Sequence, residues 1–190
     1  MLPTDDELIA QYKDGDDEAL RALIERHTAG LYTFALRLGV PNESVPDVLQ
    51  DTHIKAWKHI ETFDSKKASW KTWLFRIARN TCTDFLRKKK SLTFSSLSLD
   101  EDNNSFADNV VDDAPLPTDV LMKVEDAKTL QKIIAKLQPD YQSVLTLYYQ
   151  EEMTLKEIAT VLKKPENTIK SQYRRAREAL RKLITNPINK

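Results

Sequence analysis

Hydrophobic side chains recur along this chain at the spacing of helices. Leu20, Leu23, Ile24, His27, Leu31, Phe34, Ala35 and Leu38 step by threes and fours, which lines one face of a helix. Val45, Val48, Leu49, Thr52, Ala56, Trp57 and Ile60 repeat the pattern, as do Trp70, Trp73, Leu74, Ile77, Ala78, Thr81 and Phe85. A shorter helix precedes them. Thr4 and Glu7 open it at the spacing of a capping box, where hydroxyl and carboxylate satisfy free backbone amides reciprocally, and Gly15 stops it. Gly39 closes the second helix. Ser44 as N-cap and Pro46 in the first turn open the third, and the fourth starts near Ser69. Four helices are thus predicted before residue 90.

The same spacing returns near the C-terminus, over residues 154 to 183. Thr154 and Glu157 form another capping box, followed by Leu155, Ile158, Ala159 and Leu162. Lys163, Lys164 and Pro165 end that run, because proline cannot continue a helix. Asn167 is the predicted N-cap of the next helix. Ile169, Tyr173, Ala176, Leu180 and Leu183 form its buried face, while Lys170, Ser171, Arg174, Arg175 and Arg177 fall elsewhere on the cylinder. Two helices across a short break, with the small Ala159 at the crossing, predict a helix-turn-helix. In such a motif the second helix enters the major groove, where arginine can bind guanine in bidentate fashion. The plain alternative is a solvated basic face on a helical hairpin. The signs argue against it: residues 163 to 182 carry eight Lys and Arg against Glu166 and Glu178 alone.

Charge sharpens the division of the chain. The 190 residues have no net charge, yet residues 1–90 carry 15 basic and 14 acidic side chains, residues 91–126 carry 1 and 9, and residues 127–190 carry 13 and 6. Residues 91–121 hold seven Asp and Glu, no basic residue, and Pro115 and Pro117. A segment this acidic and poor in apolar side chains predicts a flexible tether. The expected fold class is therefore all-α: a helical bundle over 1–90, an acidic linker over 91–121, and a helix-turn-helix domain over 122–190.

Other chemistries find little support. No apolar run approaches the ~20 residues needed to span a bilayer, and no signal-peptide pattern opens the chain. Cys82 is the only cysteine, so no intramolecular disulfide can form, as fits a reducing cytoplasm. His27, His53 and His59 lack metal-ligand spacing, and His27 sits on an apolar stripe as a core or interface histidine would. With three glycines there is no phosphate-cradling loop. An enzyme would need preorganised carboxylates, but acidic residues are densest in the linker. No cofactor or metal is expected.

The N-terminal bundle shows two polar faces. Asp47, Gln50 and Asp51 lie opposite the apolar stripe of the third helix. On the fourth, Thr72, Arg76, Arg79, Asn80, Thr83 and Arg87 line one side. That side follows a polar loop, Asp64, Ser65, Lys66, Lys67, Ala68 and Ser69. A basic face beside such a loop can guide a single nucleic-acid strand. A solvated helix with a basic C-terminal turn is the bland alternative. Trp70 and Trp73 are expected in the core.

DVLQDTHIKAWKHI (47–60), SWKTWLFRIARNTCTDFLRKKK (69–90) and LQPDYQSVLTLYYQEEMTLKEIATVLKKPENTIKSQYRRAREAL (137–180) together resemble the extracytoplasmic-function (ECF) class of bacterial sigma factors. The resemblance covers both helical domains in order. It implies that Asp47, Gln50 and Asp51 bind the β′ clamp helices of core RNA polymerase. It places Asp64–Ser69, Arg76, Arg79 and Asn80 at the −10 promoter element, where a base flipped from the stack is read in a loop pocket. It places Lys170, Ser171, Arg174 and Arg175 at the −35 element, with Arg177 on the same helix. The implied partners are core polymerase, through its β′ clamp and β flap, promoter DNA and an anti-sigma factor. Asn167, Gln172 and Thr52 depart from the family's usual residues and bear on which promoter is read.

The tether sets a distance. About 31 flexible residues span roughly 30 Å on average and about 100 Å fully extended. Two promoter elements one and a half helical turns apart lie roughly 50 Å from each other. The linker can reach that far but does not rest there unaided, so the polymerase is expected to supply the geometry. A helix-turn-helix regulator acting without polymerase is the rival reading, and predicts a palindromic site bound by the protein alone.

Overall fold

The computed structural model describes residues 2–93 and 132–185. Among them lie the α-helices α1 (Asp5–Lys13), α2 (Asp17–Arg37), α3 (Val45–His59), α4 (Trp70–Thr93), α5 (Pro139–Tyr149), α6 (Leu155–Leu162) and α7 (Glu166–Thr185), and residues 132–134 are also helical. No strand occurs among the described residues, as the all-α expectation requires. No helix among them is long and apolar enough to cross a membrane. The chain divides into two compact units, one built on Met1–Lys89 and one on the C-terminal half. Apart from residues 91–93, which continue α4, the expected acidic linker lies outside the described residues.

Local chemistry sets the ends of the N-terminal helices. Thr4 and Glu7 close a complete capping box at α1: the Glu7 amide donates to Thr4 Oγ1 at 3.3 Å, and the Thr4 amide donates to Glu7 Oε2 at 2.7 Å. Gly39 ends α2 at φ +91, a left-handed conformation that costs glycine little. Its amide reaches Leu36 O at 3.0 Å and the Val40 amide reaches Ala35 O at 3.1 Å, which satisfies carbonyls that α2 leaves free. At α3 the expected cap is absent. Ser44 ends a 3-10 turn with helical φ and ψ of −98° and −9°, and its side chain makes no capping bond. The chain enters α3 already wound.

Leu23, Leu31, Phe34, Val45, Leu74 and Phe75 are fully enclosed in this unit, and the Phe34 and Phe75 rings meet at 5.3 Å across α2 and α4. Trp57 and Thr72 leave their expected places. Trp57 is 53% exposed, and its indole N–H donates to Tyr12 OH on α1 at 2.9 Å. Thr72 belongs to the interior instead of the basic face of α4. Its amide donates to the Ser69 hydroxyl at 3.3 Å, and the two hydroxyls lie 2.9 Å apart, so the helix turns Thr72 inward as it caps itself. His27 is buried, as its stripe predicts, with Nε2 2.7 Å from Asp5 Oδ2. Arg26 donates to Asp5 Oδ1 at 2.6 Å and to the Pro3 carbonyl at 2.6 Å. Burial alone would raise the Asp5 carboxyl, but His27 and Arg26 outweigh it and hold it below its usual range. Burial pushes the Cys82 thiol up to about 11.

In the C-terminal unit the core comprises Leu145, Leu147, Ile158, Ile169, Tyr173, Ala176 and Leu180. The Thr154–Glu157 capping box forms in full at the start of α6. Lys163 then turns the chain at φ +54 with no glycine present, and the Lys164 amide reaches back to Ala159 O at 3.2 Å. Helix α7 starts at Glu166, so Asn167 lies in its first turn and is not the cap. Tyr173 packs on Tyr148 and Tyr149 at centroid distances of 4.4 and 6.5 Å. Burial first, then the neighbouring hydroxyls, push its phenol far above the ordinary tyrosine range.

Candidate nucleic-acid interface

Helix α7 shows how a buried stripe aims a reading face. Ile169, Tyr173, Ala176 and Leu180 are enclosed, which at 3.6 residues per turn fixes the helix rotation. Lys170, Ser171, Arg174, Arg175 and Arg177 are then partly exposed, as the sequence anticipates. Contacts within the unit restrain them. Lys170 Nζ pairs with Glu166 Oε1 at 3.1 Å, one turn back. The Arg177 guanidinium lies 5.6 Å from the Tyr173 ring centroid, a cation–π contact that draws it toward the core.

One group at this helix escaped the sequence reading. Asp140, in the first turn of α5, accepts from Lys164 Nζ at 2.5 Å and from Gln172 Nε2 at 3.0 Å through one oxygen, Oδ2. Its partners are 24 and 32 positions away, so no local pattern could have revealed it.

In the N-terminal unit, Asp47, Gln50 and Asp51 are exposed on α3, opposite the buried Val45, Val48, Leu49 and Thr52. Ile54 and Trp57 continue that outward face at helical spacing, 40% and 53% exposed. The stripe that placed Trp57 inside concealed this apolar extension.

The Asp64–Ser69 loop folds around its own first residue. Asp64 Oδ1 accepts from the Lys66 amide at 3.0 Å, the Lys67 amide donates to Asp64 O at 3.0 Å, and Lys67 Nζ lies 3.5 Å from Asp64 Oδ2. Asp64 therefore shapes the turn, while Ser65, Lys66 and Lys67 face solvent and Ala68 is half-buried. Phe63, Trp70 and Trp73 form an aromatic cluster flanking the loop, with centroids 4.9 to 5.5 Å apart. Trp70 is core; Trp73 is only half-buried. Ser69 is exposed and caps α4, beyond which Arg76 is exposed and Arg79 and Asn80 are half-buried. No cluster of three or more His, Cys, Asp or Glu able to hold a metal occurs among the described residues.

These features define a two-domain helical protein of the helix-turn-helix class. Comparison with known proteins narrows the class. The Sigma-70 region 2 family model matches residues 23–92, and the Sigma-70 region 4 model matches residues 127–180. The chain is 33% identical over 177 residues to the ECF RNA polymerase sigma factor SigW of Bacillus subtilis strain 168, covering 93% of this chain and 94% of that one. It is 29% identical over 178 residues to the ECF RNA polymerase sigma-E factor of Escherichia coli K12, covering 93% and 92%. The solved structure of CnrH in complex with the cytosolic domain of CnrY matches with a TM-score of 0.59 and 26% identity, over 94% of this chain and 95% of that one. The chain belongs to the ECF RNA polymerase sigma factors, and its function is transcription initiation with RNA polymerase.

Proposed function

We propose that the two units divide promoter recognition between them. On the first, residues 1–90, Asp47, Gln50 and Asp51 dock on the polymerase β′ clamp helices. There Asp64–Ser69, Arg76, Arg79 and Asn80 also take the unwound −10 strand. On the second, residues 122–190, α7 reads the −35 duplex through Lys170, Ser171, Arg174, Arg175 and Arg177. Residues 91–121 join them as an acidic tether. The protein makes and breaks no covalent bond; its work is recognition and strand separation inside the holoenzyme. It acts in the cytoplasm, and an anti-sigma factor is its expected inhibitor, in keeping with the complexed state in which CnrH was solved.

The observation that carries this division is the pairing of each charged face with a buried stripe on the same helix: Asp47, Gln50 and Asp51 against Val48 and Thr52, Arg174 and Arg175 against Ile169 and Tyr173. Each core holds its face outward. The test is co-purification with bacterial core polymerase, followed by run-off transcription on a promoter library. The expected result is a holoenzyme that starts RNA selectively, while the free chain binds duplex DNA weakly. Failure to bind core, or initiation no more selective than that of core alone, overturns the reading.

A further inference from the structure

We propose that Asp140 is a positioning residue for upstream promoter recognition, holding Gln172 on the reading helix and restraining Lys164 beside the turn. The inference rests on the reading of α7 above. One carboxylate oxygen takes both partners, Lys164 Nζ at 2.5 Å and Gln172 Nε2 at 3.0 Å. A carboxylate can only accept, so it dictates which end of the Gln172 amide faces it. The other end, Oε1, is then buried with no hydrogen-bond partner. The bond to Asp140 is therefore what orients the amide.

The geometry has two consequences. Gln172 follows Ser171 and precedes Arg174, so its tether fixes the pitch at which α7 presents those side chains relative to α5. Lys164 is cationic and stands where α6 passes into α7, yet its charge is compensated within the unit. It therefore does not count fully among the charges offered to phosphate. Asp140 is 60% exposed, and ion pairs this exposed add little to stability. Its role is orientation and charge, not folding.

The test uses holoenzyme assembled with the full chain, on promoters randomised at the upstream element, across a salt series. Asp140→Ala should compress the spread between strong and weak upstream elements at least threefold. It should raise binding to non-cognate duplex about twofold. It should also steepen the salt dependence by about 0.9 in log–log slope, as one more lysine neutralises phosphate. Asp140→Asn keeps an acceptor for Gln172 and loses the charge, so it should preserve the ranking of elements and still steepen the slope. Melting temperatures of both should match the parent. An unchanged ranking and slope in Asp140→Ala overturns the inference, as does uniform loss on every promoter with a fallen melting temperature. Arg174→Ala runs alongside. If it leaves upstream selectivity intact, the reading of α7 fails; if it relaxes selectivity and Asp140→Ala does not, only the role of Asp140 fails.

Discussion

The two units hold their charged faces outward by different means. In the N-terminal unit, Asp47, Gln50, Asp51 and Arg76 stand exposed on helices whose orientation comes from packing, with Phe34 against Phe75 at the centre. In the C-terminal unit the reading helix is also packed, but its cations are managed by polar neighbours: Glu166 on Lys170, Asp140 on Lys164, and the Tyr173 ring under Arg177. A protruding face tolerates change in all but its core. A networked face can be retuned by residues that never touch the ligand.

The largest test of that contrast removes the cores. Ile169→Ala should cost the C-terminal unit about 2–5 kcal/mol, and Phe34→Ala the N-terminal unit about 3–5 kcal/mol. Amide hydrogen exchange reads both. If Phe34→Ala loosens α7 as much as α2, the two faces are not held independently. Arg174→Ala should cost about 1–3 kcal/mol of discrimination, confined to particular upstream bases. Lys163→Ala should weaken all sequences alike and flatten the salt slope. Binding to a promoter library separates the two patterns; equal effects on every sequence would remove Arg174 as a base reader.

Asp51→Ala should weaken association with core polymerase about tenfold, or ~1.4 kcal/mol, with upstream selectivity unchanged. Competition for limiting core measures it. Thr154→Ala should lower the stability of the C-terminal unit by about 1 kcal/mol through loss of the α6 cap, read by denaturant midpoint. The smallest effect is one of pH. The Asp5 carboxyl titrates below its ordinary value of 3.8 when folded. The unfolded chain therefore takes up its proton first as pH falls. The stabilisation is complete above that ordinary value and disappears as pH drops through the folded one. Asp5→Asn should flatten this acid limb of stability, as urea midpoints measured through the acid range would show.

Periodicity and capping made most of the fold legible. The boxes at Thr4–Glu7 and Thr154–Glu157 are local chemistry, complete within four residues, and both form as spelled. Ser44, read as a simple N-cap without a box, follows a 3-10 turn and makes no capping bond, because its backbone is already helical. Trp57 fits the α3 stripe by spacing, yet a helix of that length buries only part of its apolar arc, and Tyr12 offers the indole a polar contact at the surface. Lys163 holds a left-handed turn that sequence normally announces with glycine. The charged faces were legible wherever they lie opposite a buried stripe. The grip of Asp140 was not, because it joins side chains that only the tertiary fold brings together.

The lone thiol has a bearing on control. Reagents and peroxides attack the thiolate, and reactivity falls with access as well as with ionisation. Cys82 is enclosed between helices and stays protonated to about 11. Peroxide or a thiol reagent should therefore modify Cys82 only when the N-terminal unit opens.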